Sequence, residues 1–392
     1  MTLQIDQEYI TKTLVDLVQI DSVNPSLIPD GGGEAEVGAY VAKALTALGL
    51  TVTSYDLGPR RANVFGVLPG TGGGRSLLLN AHMDTVGVDG MVDPFSAEIR
   101  AGRLYGRGSQ DMKGSLAAML GATRALIDGG HQLAGDLLVT AVADEEYLSI
   151  GMQHLVETIT ADAAIVTEPT DLTLTRAHRG FIWYEVETIG RAAHGSRYME
   201  GVDANMRMGR FLCRLEELER KLRQRPPHPL AGPPSLHAAL LRGGTEISVY
   251  AASSHLTLER RTIPGESQEQ CTAELQAIVD QLAAEDDTFK ATVKATFRRE
   301  PFEIAADASI VQALDRAMAA QLGAEPRHTG QTFWTDAALL AEAGVDTVLL
   351  GPVGQGLHSA EEWVDLASVY DLAAILAQTA VDFCGQEVAS GQ

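Results

Sequence analysis

Apolar side chains recur at helical spacing in several segments of the chain, and short apolar runs lie between them. This alternation of helices and strands is typical of an α/β fold. The first part of the pattern predicts helices over residues 8–20, 34–48 and 114–126, and strands over TVTSYDL, NVFGVLPG, SLLLNAHMD, 136–146 and 163–169.

The pattern changes near residue 180, where FIWYEVETIGRAAH and later SVYAASSHLTLERRTIP alternate between apolar and polar residues. Such alternation predicts half-exposed antiparallel strands. Helices over 203–222 and 267–284 and a strand over 288–298 complete an α+β insertion. After Pro301 the earlier alternation of helices and strands returns, with a strand over 345–352 and a helix over 366–383. We therefore predict three segments, 1–179, 180–296 and 297–392, of which the outer two form one domain.

Composition narrows the class of protein. At roughly 150 residues per domain, 392 residues indicate two domains or one large and one small. The formal charge of −22, with 52 acidic against 30 basic residues, has the opposite sign to that of a nucleic-acid binder. We therefore expect neither nucleic acid nor an anionic membrane as a partner. The ordinary explanation of the charge is a solvated acidic surface, although arginine or bound metal can still make a cleft attractive to an anionic substrate.

The cysteines and the apolar runs indicate a compartment. Cys213, Cys271 and Cys384 form no CxxC pair, which argues against a disulfide framework and against a thiolate zinc site. The start of the sequence has an acidic flank and no long apolar run, and no stretch reaches the roughly 18 apolar residues of a membrane helix. These features predict a soluble, cytoplasmic protein.

Acidic and imidazole side chains lie where several predicted strands end, which is where open α/β sheets form their sites. His82 and Asp84 are two residues apart, so they would share a strand face, and a carboxylate behind an imidazole can fix its tautomer for zinc. A capped turn is the alternative. Asp111 follows the glycine-rich GRGSQ just before a helix. It could be a metal ligand or the helix N-cap.

Three further positions belong to the same pattern. Asp144, Glu145 and Glu146 end an apolar strand, and adjacent carboxylates repel unless a cation or proton separates them. A polar loop is the alternative there. Glu168 also ends a strand, and His358 lies in a glycine-rich loop, where a lone histidine is more often a satisfied polar residue.

Together these groups favour a metal centre. Histidines and carboxylates without thiolates suit zinc, cobalt or manganese, and two ions bridged by one carboxylate about 3.5–4 Å apart form a hydrolytic pair. Within such a centre Glu146 could hold metal while Glu145 stays free as a general base.

Several motifs carry a family resemblance: AHMDTV, LYGRGSQDMKG, ADEE, TEPT, GRAAHGS, RRTIPGE and GPVGQGLHSAEEWV. In their order and spacing, the chain resembles peptidase family M20 nearly from end to end. This family includes zinc aminoacylases, acetylornithine deacetylases, succinyl-diaminopimelate desuccinylases and glutamate carboxypeptidases. The resemblance implies a catalytic α/β domain with a mixed sheet and zinc-peptidase-like topology, interrupted by a smaller α+β lid and dimerisation domain over 180–296.

The resemblance also implies a ligand set for two zinc ions per subunit, with Co²⁺ or Mn²⁺ as alternatives. The implied ligands are His82, Asp111, Glu146, Glu168 and His358. Asp111 would bridge the ions, His82 and Glu168 would hold one of them, and Glu146 and His358 would hold the other. In the same way, Glu145 would be the general base and Asp84 would orient His82.

Substrate-facing residues are implied mainly in the lid. His194 resembles the histidine that stabilises the oxyanion, often in the neighbouring subunit's site, and a polar residue at a strand end is the alternative. Arg261 shares a strand face with Glu259 and resembles the arginine that binds the substrate carboxylate, a task that suits a guanidinium. Ser248 stands near the place where many relatives have Asn, which puts inherited specificity in doubt. Gly330 is a further candidate for substrate binding.

The predicted activity is metal-dependent hydrolysis of the amide bond of an N-acyl amino acid, by a homodimer formed through the lid. The alternative within the family is a carboxypeptidase or dipeptidase. A non-catalytic binding module would be expected to lack a ligand or the base, and here every implied group is present. A dinucleotide enzyme needs GxGxxG between strand and helix, whereas LPGTGGG precedes a strand and predicts a hairpin loop.

Overall fold

The structure is a computed structural model that describes residues 3–385. Within that range the chain forms two compact units. Of the described residues, the first unit comprises 3–176, Ile304–Thr329 and 335–385, and the second comprises Ala177–Glu303 and Gly330–Trp334. The sequence placed the boundaries near 180 and 296 and did not assign the short segment Gly330–Trp334 to the inserted unit. The roles of the units, as catalytic domain and as lid, remain predictions.

The helices of the described residues alternate with strands along much of the chain. The helices are α1 Gln7–Val18, α2 Ala35–Ala47, α3 Gly114–Asp128, α4 Ile150–Thr158, α5 Ala204–Arg223, α6 Gln268–Glu285, α7 Ser309–Leu322, α8 Ala337–Glu342 and α9 Leu366–Cys384. The strands are β1 Thr51–Gly58, β2 Arg61–Leu68, β3 Leu77–His82, β4 Glu98–Arg100, β5 Arg103–Tyr105, β6 Leu137–Val142, β7 Ala163–Val166, β8 Leu174–His178, β9 Gly180–Ile189, β10 Ser235–Gly243, β11 Ser253–Thr262, β12 Ala291–Arg299, β13 Phe302–Glu303, β14 His328–Gln331, β15 Asp346–Leu349, β16 Gly354–Gln355 and β17 Trp363–Asp365.

The first unit is built on a mixed sheet in the order β1-β2-β6-β3-β7-β15-β8. Strand β3 runs parallel to β6 and β7, and β15 runs parallel to β7, whereas β1, β2 and β8 join antiparallel. Every residue of β3 and β6 is buried, as is typical of mostly apolar strands in the middle of an α/β sheet. The predicted α/β class with a mixed sheet is confirmed.

Helices α1, α3, α7 and α9 pack together in the first unit. Helix α9 is the one described helix that is long and apolar enough to cross a membrane, by length and composition alone. In the structure 61% of its apolar window is buried against neighbouring elements. Its apolar character is therefore that of a core helix.

The second unit is an antiparallel sheet in the order β10-β11-β9-β12, with α5 and α6 packed on it. Its core lies between sheet and helices and includes Tyr184, Phe211, Leu258 and Leu275, all nearly inaccessible to solvent. The opposite face carries polar residues and an aromatic pair, Trp183 and Phe297, with ring centroids 5.0 Å apart. The alternation along β9 is the pattern that the sequence predicted, and β12 was predicted as a strand.

One predicted strand begins later than expected. The apolar alternation suggested a strand over 248–264, but β11 begins at Ser253, and Ser248 lies in a turn between β10 and β11. Gly244 has a φ of 77°, which lets the backbone leave β10 in a left-handed conformation. The expectation that Ser248 lies on a strand is therefore wrong.

Candidate metal centre

Parallel strands bring three of the predicted clusters to one edge of the sheet. Strand β3 ends at His82, β6 ends just before Asp144, and β7 ends two residues before Glu168. Because β3 lies between β6 and β7 and runs parallel to both, their carboxyl ends meet at the same edge. Polar side chains far apart in sequence therefore face one another.

Asp111 lies between two imidazoles. Its Oδ1 is 3.0 Å from Nε2 of His82, and its Oδ2 is 3.4 Å from Nε2 of His358. The N-cap of α3 is Lys113, and no side chain there accepts a hydrogen bond from the first turn of the helix. The alternative in which Asp111 caps that helix is therefore not what the structure has.

His358 reaches the cluster from the opposite side of Asp111. Its Nε2 lies 3.1 Å from the carboxylate of Glu146, and its backbone has a φ of 56° in the loop after β16. The imidazole is about half exposed, whereas that of His82 is buried. His358 is thus bound to two of the sequence-predicted acidic groups.

Glu168 and Glu145 complete the cluster around His82. Oε1 of Glu168 lies 3.9 Å from Nε2 of His82 and is buried without a hydrogen-bond partner among the described residues. Two sets of ligand atoms lie mutually within 4.8 Å, one from His82, Glu145 and Glu168, the other from His82, Asp111 and Glu146. Nitrogen and oxygen donors at this spacing fit a divalent metal ion.

The pKa values of the clustered side chains are shifted by burial and by their charged neighbours. Burial and the neighbouring acids raise the pKa of Glu168 to about 8, and burial with Glu168 nearby raises that of Glu145 well above its usual range. Hydrogen bonds to Asp111 and Glu146 raise the pKa of His358 to about 10. Although burial alone would raise the pKa of Asp111, the hydrogen bonds from both histidines lower it. The carboxylates thus need positive charge close by.

Asp84 supports the cluster in a way that differs from the expected one. Nδ1 of His82 is 2.9 Å from the main-chain oxygen of Asp84, but 3.6 Å from its carboxylate. The carboxylate instead accepts the backbone N–H groups of Glu145 and Glu146, each at 3.1 Å. The main-chain oxygen of Asp84 therefore contacts the imidazole of His82, and its carboxylate holds the backbone of Glu145 and Glu146 after β6.

A buried polar network behind the cluster was not predicted from the sequence. Asn24 donates to Asp84 at 2.8 Å and to Asp144 at 3.0 Å. Arg61 donates to Asn24 at 2.7 Å and lies 2.9 Å from both Glu34 and Asp144. Neither Asn24 nor Arg61 has a spacing signal in the sequence, and only the folded contacts connect them to the site.

The remaining candidates, His194, Ser248, Arg261 and Gly330, belong to the second unit. Exposed His194 has its Nδ1 2.8 Å from Oγ of Ser196, and the segment after it is held by Gly195 N–H donating to the Ser248 carbonyl at 2.7 Å. A Cβ at Gly330 would lie only 2.6 Å from the backbone of Leu230, so close packing explains that glycine.

Arg261 and Arg260 point to opposite faces of β11. The half-buried guanidinium of Arg261 donates to Glu259 at 2.6 Å and lies over the ring of Phe181. Arg260 is buried and donates to Glu266 at 2.7 Å. Of the two, Arg261 is thus the one on the face that the sequence singled out.

Comparisons with known proteins agree with this architecture. A family model described as peptidase family M20/M25/M40 matches residues 78–382. An acetylornithine deacetylase from Myxococcus xanthus is 31% identical over 384 residues, covering 95% of this chain and 97% of that protein. An N-formyl-4-amino-5-aminomethyl-2-methylpyrimidine deformylase from Halalkalibacterium halodurans is 29% identical, covering 95% and 94%.

Solved structures share the fold at lower identity. The aminopeptidase PepT from Bacillus cereus superposes with a TM-score of 0.78 at 23% identity, covering 96% of this chain and 99% of that one. A dinuclear metal binding peptidase of the M20 family from Bacillus subtilis gives a TM-score of 0.75 at 15% identity, covering 96% and 98%. The chain belongs to peptidase family M20/M25/M40. The predicted class, a metal-dependent amidohydrolase, is confirmed.

Metal binding is expected to stabilise the protein through Asp111. A ligand at 100 times its Kd stabilises the folded state by about 2.7 kcal/mol, so saturating Zn²⁺ should raise the melting temperature of the metal-free protein. In Asp111→Asn most of this increase should disappear, because the amide carries no charge and offers one acceptor oxygen. Differential scanning calorimetry with and without Zn²⁺ measures this increase in melting temperature.

The matched control is Asp89→Asn, which makes the same change at an exposed position and should keep the wild-type increase. An equal increase in Asp111→Asn and wild type would contradict the role of Asp111.

Proposed function

We propose that the protein hydrolyses the amide bond of an N-acyl amino acid. The observation that carries this proposal is the position of Asp111, whose two carboxylate oxygens face two different imidazoles. Two relatives that match nearly the whole chain are named as a deacetylase and a deformylase. These names favour removal of an acyl group over cleavage of a peptide. The solved peptidases are less than 25% identical and support the fold alone.

We assign the metal sites as follows. Asp111 would bridge two ions, His82 and Glu168 would hold the first, and Glu146 and His358 would hold the second. The close approach of each histidine to Asp111 and the unpartnered oxygen of Glu168 support this assignment. Zinc is the proposed native ion, with Co²⁺ or Mn²⁺ able to substitute, because the donors are imidazole and carboxylate. When bound, the ions would polarise the scissile carbonyl and lower the pKa of water toward about 7.

Glu145 is the proposed general base. Its carboxylate lies within the same group of ligand atoms as His82 and Glu168, and its backbone N–H is fixed by Asp84 at 3.1 Å. It would accept a proton from the attacking water and pass it to the nitrogen of the leaving amine. Asp84 is a positioning residue in this proposal, since it acts through His82 and through the backbone of Glu145 and Glu146.

Residues of the second unit would bind the substrate. His194 is exposed on a loop and would donate to the oxyanion, while Arg261 would bind the carboxylate of the amino acid through its guanidinium. Ser248 and Gly330 remain predictions of substrate binding. Close packing of Gly330 against Leu230 already accounts for the glycine there.

We also propose a homodimer through the second unit. Strand β10 lies at the end of its sheet, pairs with β11 on one side, and exposes residues 237–243. Leu240 and Leu241 are each more than half exposed there, and an unpaired edge with apolar side chains can add a strand from a second copy. A cytoplasmic location is proposed with it, since all three cysteines are free.

A substrate panel tests the proposed reaction. N-acetyl amino acids, N-succinyl amino acids and dipeptides are assayed with zinc- and cobalt-loaded protein. We expect the highest kcat/KM on an N-acyl amino acid. Preference for dipeptides would shift the proposal to the peptidase alternative, and hydrolysis of neither would contradict it.

Glu145→Gln should keep its metal and lose turnover. The amide cannot accept a proton, and general acid–base catalysis contributes about 100- to 10,000-fold, so kcat should fall by that order. Zinc content measured by mass spectrometry should match the wild type. The control Glu157→Gln makes the same change on the exposed face of α4 and should be fully active. Full activity of Glu145→Gln would refute the base assignment.

His194→Ala should fold and bind metal but turn over slowly. Loss of one oxyanion donor costs about 100- to 1000-fold in kcat, and steady-state kinetics on the best substrate measure it. His255→Ala removes another exposed imidazole of the second unit and serves as the control. A wild-type kcat in His194→Ala would exclude a catalytic part for this histidine.

A further inference from the structure

A buried carboxylate outside the proposed ligand set lies beside the metal centre. Glu362 is only 1% exposed, and its Oε2 accepts from Nη1 of Arg107 at 2.6 Å and from the N–H of Gly108 at 3.0 Å. Its Oε1 accepts from the N–H groups of Gln110 at 2.9 Å and of Asp111 at 3.1 Å. One side chain thus receives four hydrogen bonds from the turn that carries Asp111.

Glu362 connects the two loops that hold opposite ends of the cluster. It stands four residues after His358 in the same loop, and its Oε1 accepts the backbone N–H of Asp111. The side-chain oxygen of that aspartate lies 3.4 Å from the imidazole of His358. The hydrogen bond from Asp111 to Glu362 therefore connects the backbone of Asp111 to the loop of His358, so the distance between the Asp111 carboxylate and the His358 imidazole depends on Glu362.

Arg107 extends the same connection to a third loop. Besides its pair with Glu362, it donates through Nη2 to the carbonyl of Ser359 at 3.0 Å and through Nε to the carbonyl of Gly87 at 3.0 Å. Gly87 lies in the loop after His82 and Asp84, and Ser359 is next to His358. One guanidinium thus contacts the loops that carry both histidines.

We propose that Glu362 and Arg107 are positioning residues that set the separation of the two metal sites. The proposal rests on the proposed function, because the ligand roles of His82, Asp111 and His358 come from there. Residues outside the ligand set that orient ligands typically change metal affinity or activity by about 10- to 100-fold when replaced.

The chemistry at this position requires a carboxylate. Two oxygens that only accept can take four N–H donors, whereas the NH₂ group of a glutamine would face N–H groups of the turn. Arginine is also specific, because its planar fork reaches three acceptors in two loops and a lysine offers one point of attachment. Stability alone does not explain the pair, since buried ion pairs are often no more stabilising than apolar groups.

Glu362→Gln tests the proposal through metal affinity. The readouts are zinc affinity by chelator competition, the melting temperature of the metal-free protein, and kcat and KM as Zn²⁺ is increased. We expect zinc affinity to fall about 10- to 100-fold, kcat to recover in part with excess Zn²⁺, and KM to stay near wild type. Glu361→Gln is the matched control, because it changes the same group at the exposed neighbouring position and should bind zinc like wild type.

Arg107→Lys is the second variant. We expect it to lower zinc affinity as well, by less than Glu362→Gln does. Unchanged zinc affinity in folded Glu362→Gln overturns the proposal, and so does failure of both variants to fold, which would assign the pair a purely structural role. Failure of the proposed function looks different, because wild type and Glu361→Gln would then show no hydrolysis on the substrate panel.

Discussion

Carboxylates that are removed from water repel one another, and the centre of the first unit depends on how that repulsion is balanced. Asp111, Glu145, Glu146 and Glu168 meet at one largely buried edge of a sheet, where the imidazoles of His82 and His358 are the basic groups that contact them among the described residues. The raised pKa of Glu168, about 8, reflects its burial among these neighbours. A divalent cation bound by these groups would offset this repulsion, because it would bind the charged carboxylates directly.

The sheet and its loops explain how such a cluster can persist. Parallel pairing of β3 with β6 and β7 fixes three of the contributing segments at one edge. Behind that edge, Arg61 and Asn24 neutralise and bind the carboxylates of Glu34, Asp84 and Asp144. Asp84 in turn accepts the backbone N–H groups of Glu145 and Glu146, so this network fixes the backbone of two acidic residues of the cluster, as outer contacts of metal sites commonly do.

The sequence predicted the long elements well, because buried strands such as β3 are mostly apolar runs and helices such as α1 repeat apolar side chains at helical spacing. It also located the polar clusters, since acids at the end of an apolar strand stand out. Strands of two or three residues, such as β4 and β16, are too short for a periodic signal. Asn24 and Glu362 could not be assigned because their partners are 60 and 251 residues away in sequence. Ser248 was misplaced because apolar alternation continues through the turn before β11.

The central claim is that Asp111 joins two metal ions, one beside each histidine. Anomalous diffraction from zinc-loaded crystals, collected on both sides of the zinc absorption edge, measures this most directly. The account predicts two peaks per chain about 3.5–4 Å apart, one next to His82 and one next to His358, with Asp111 between them. A single peak, or peaks elsewhere on the acidic surface with none beside Asp111, would contradict it.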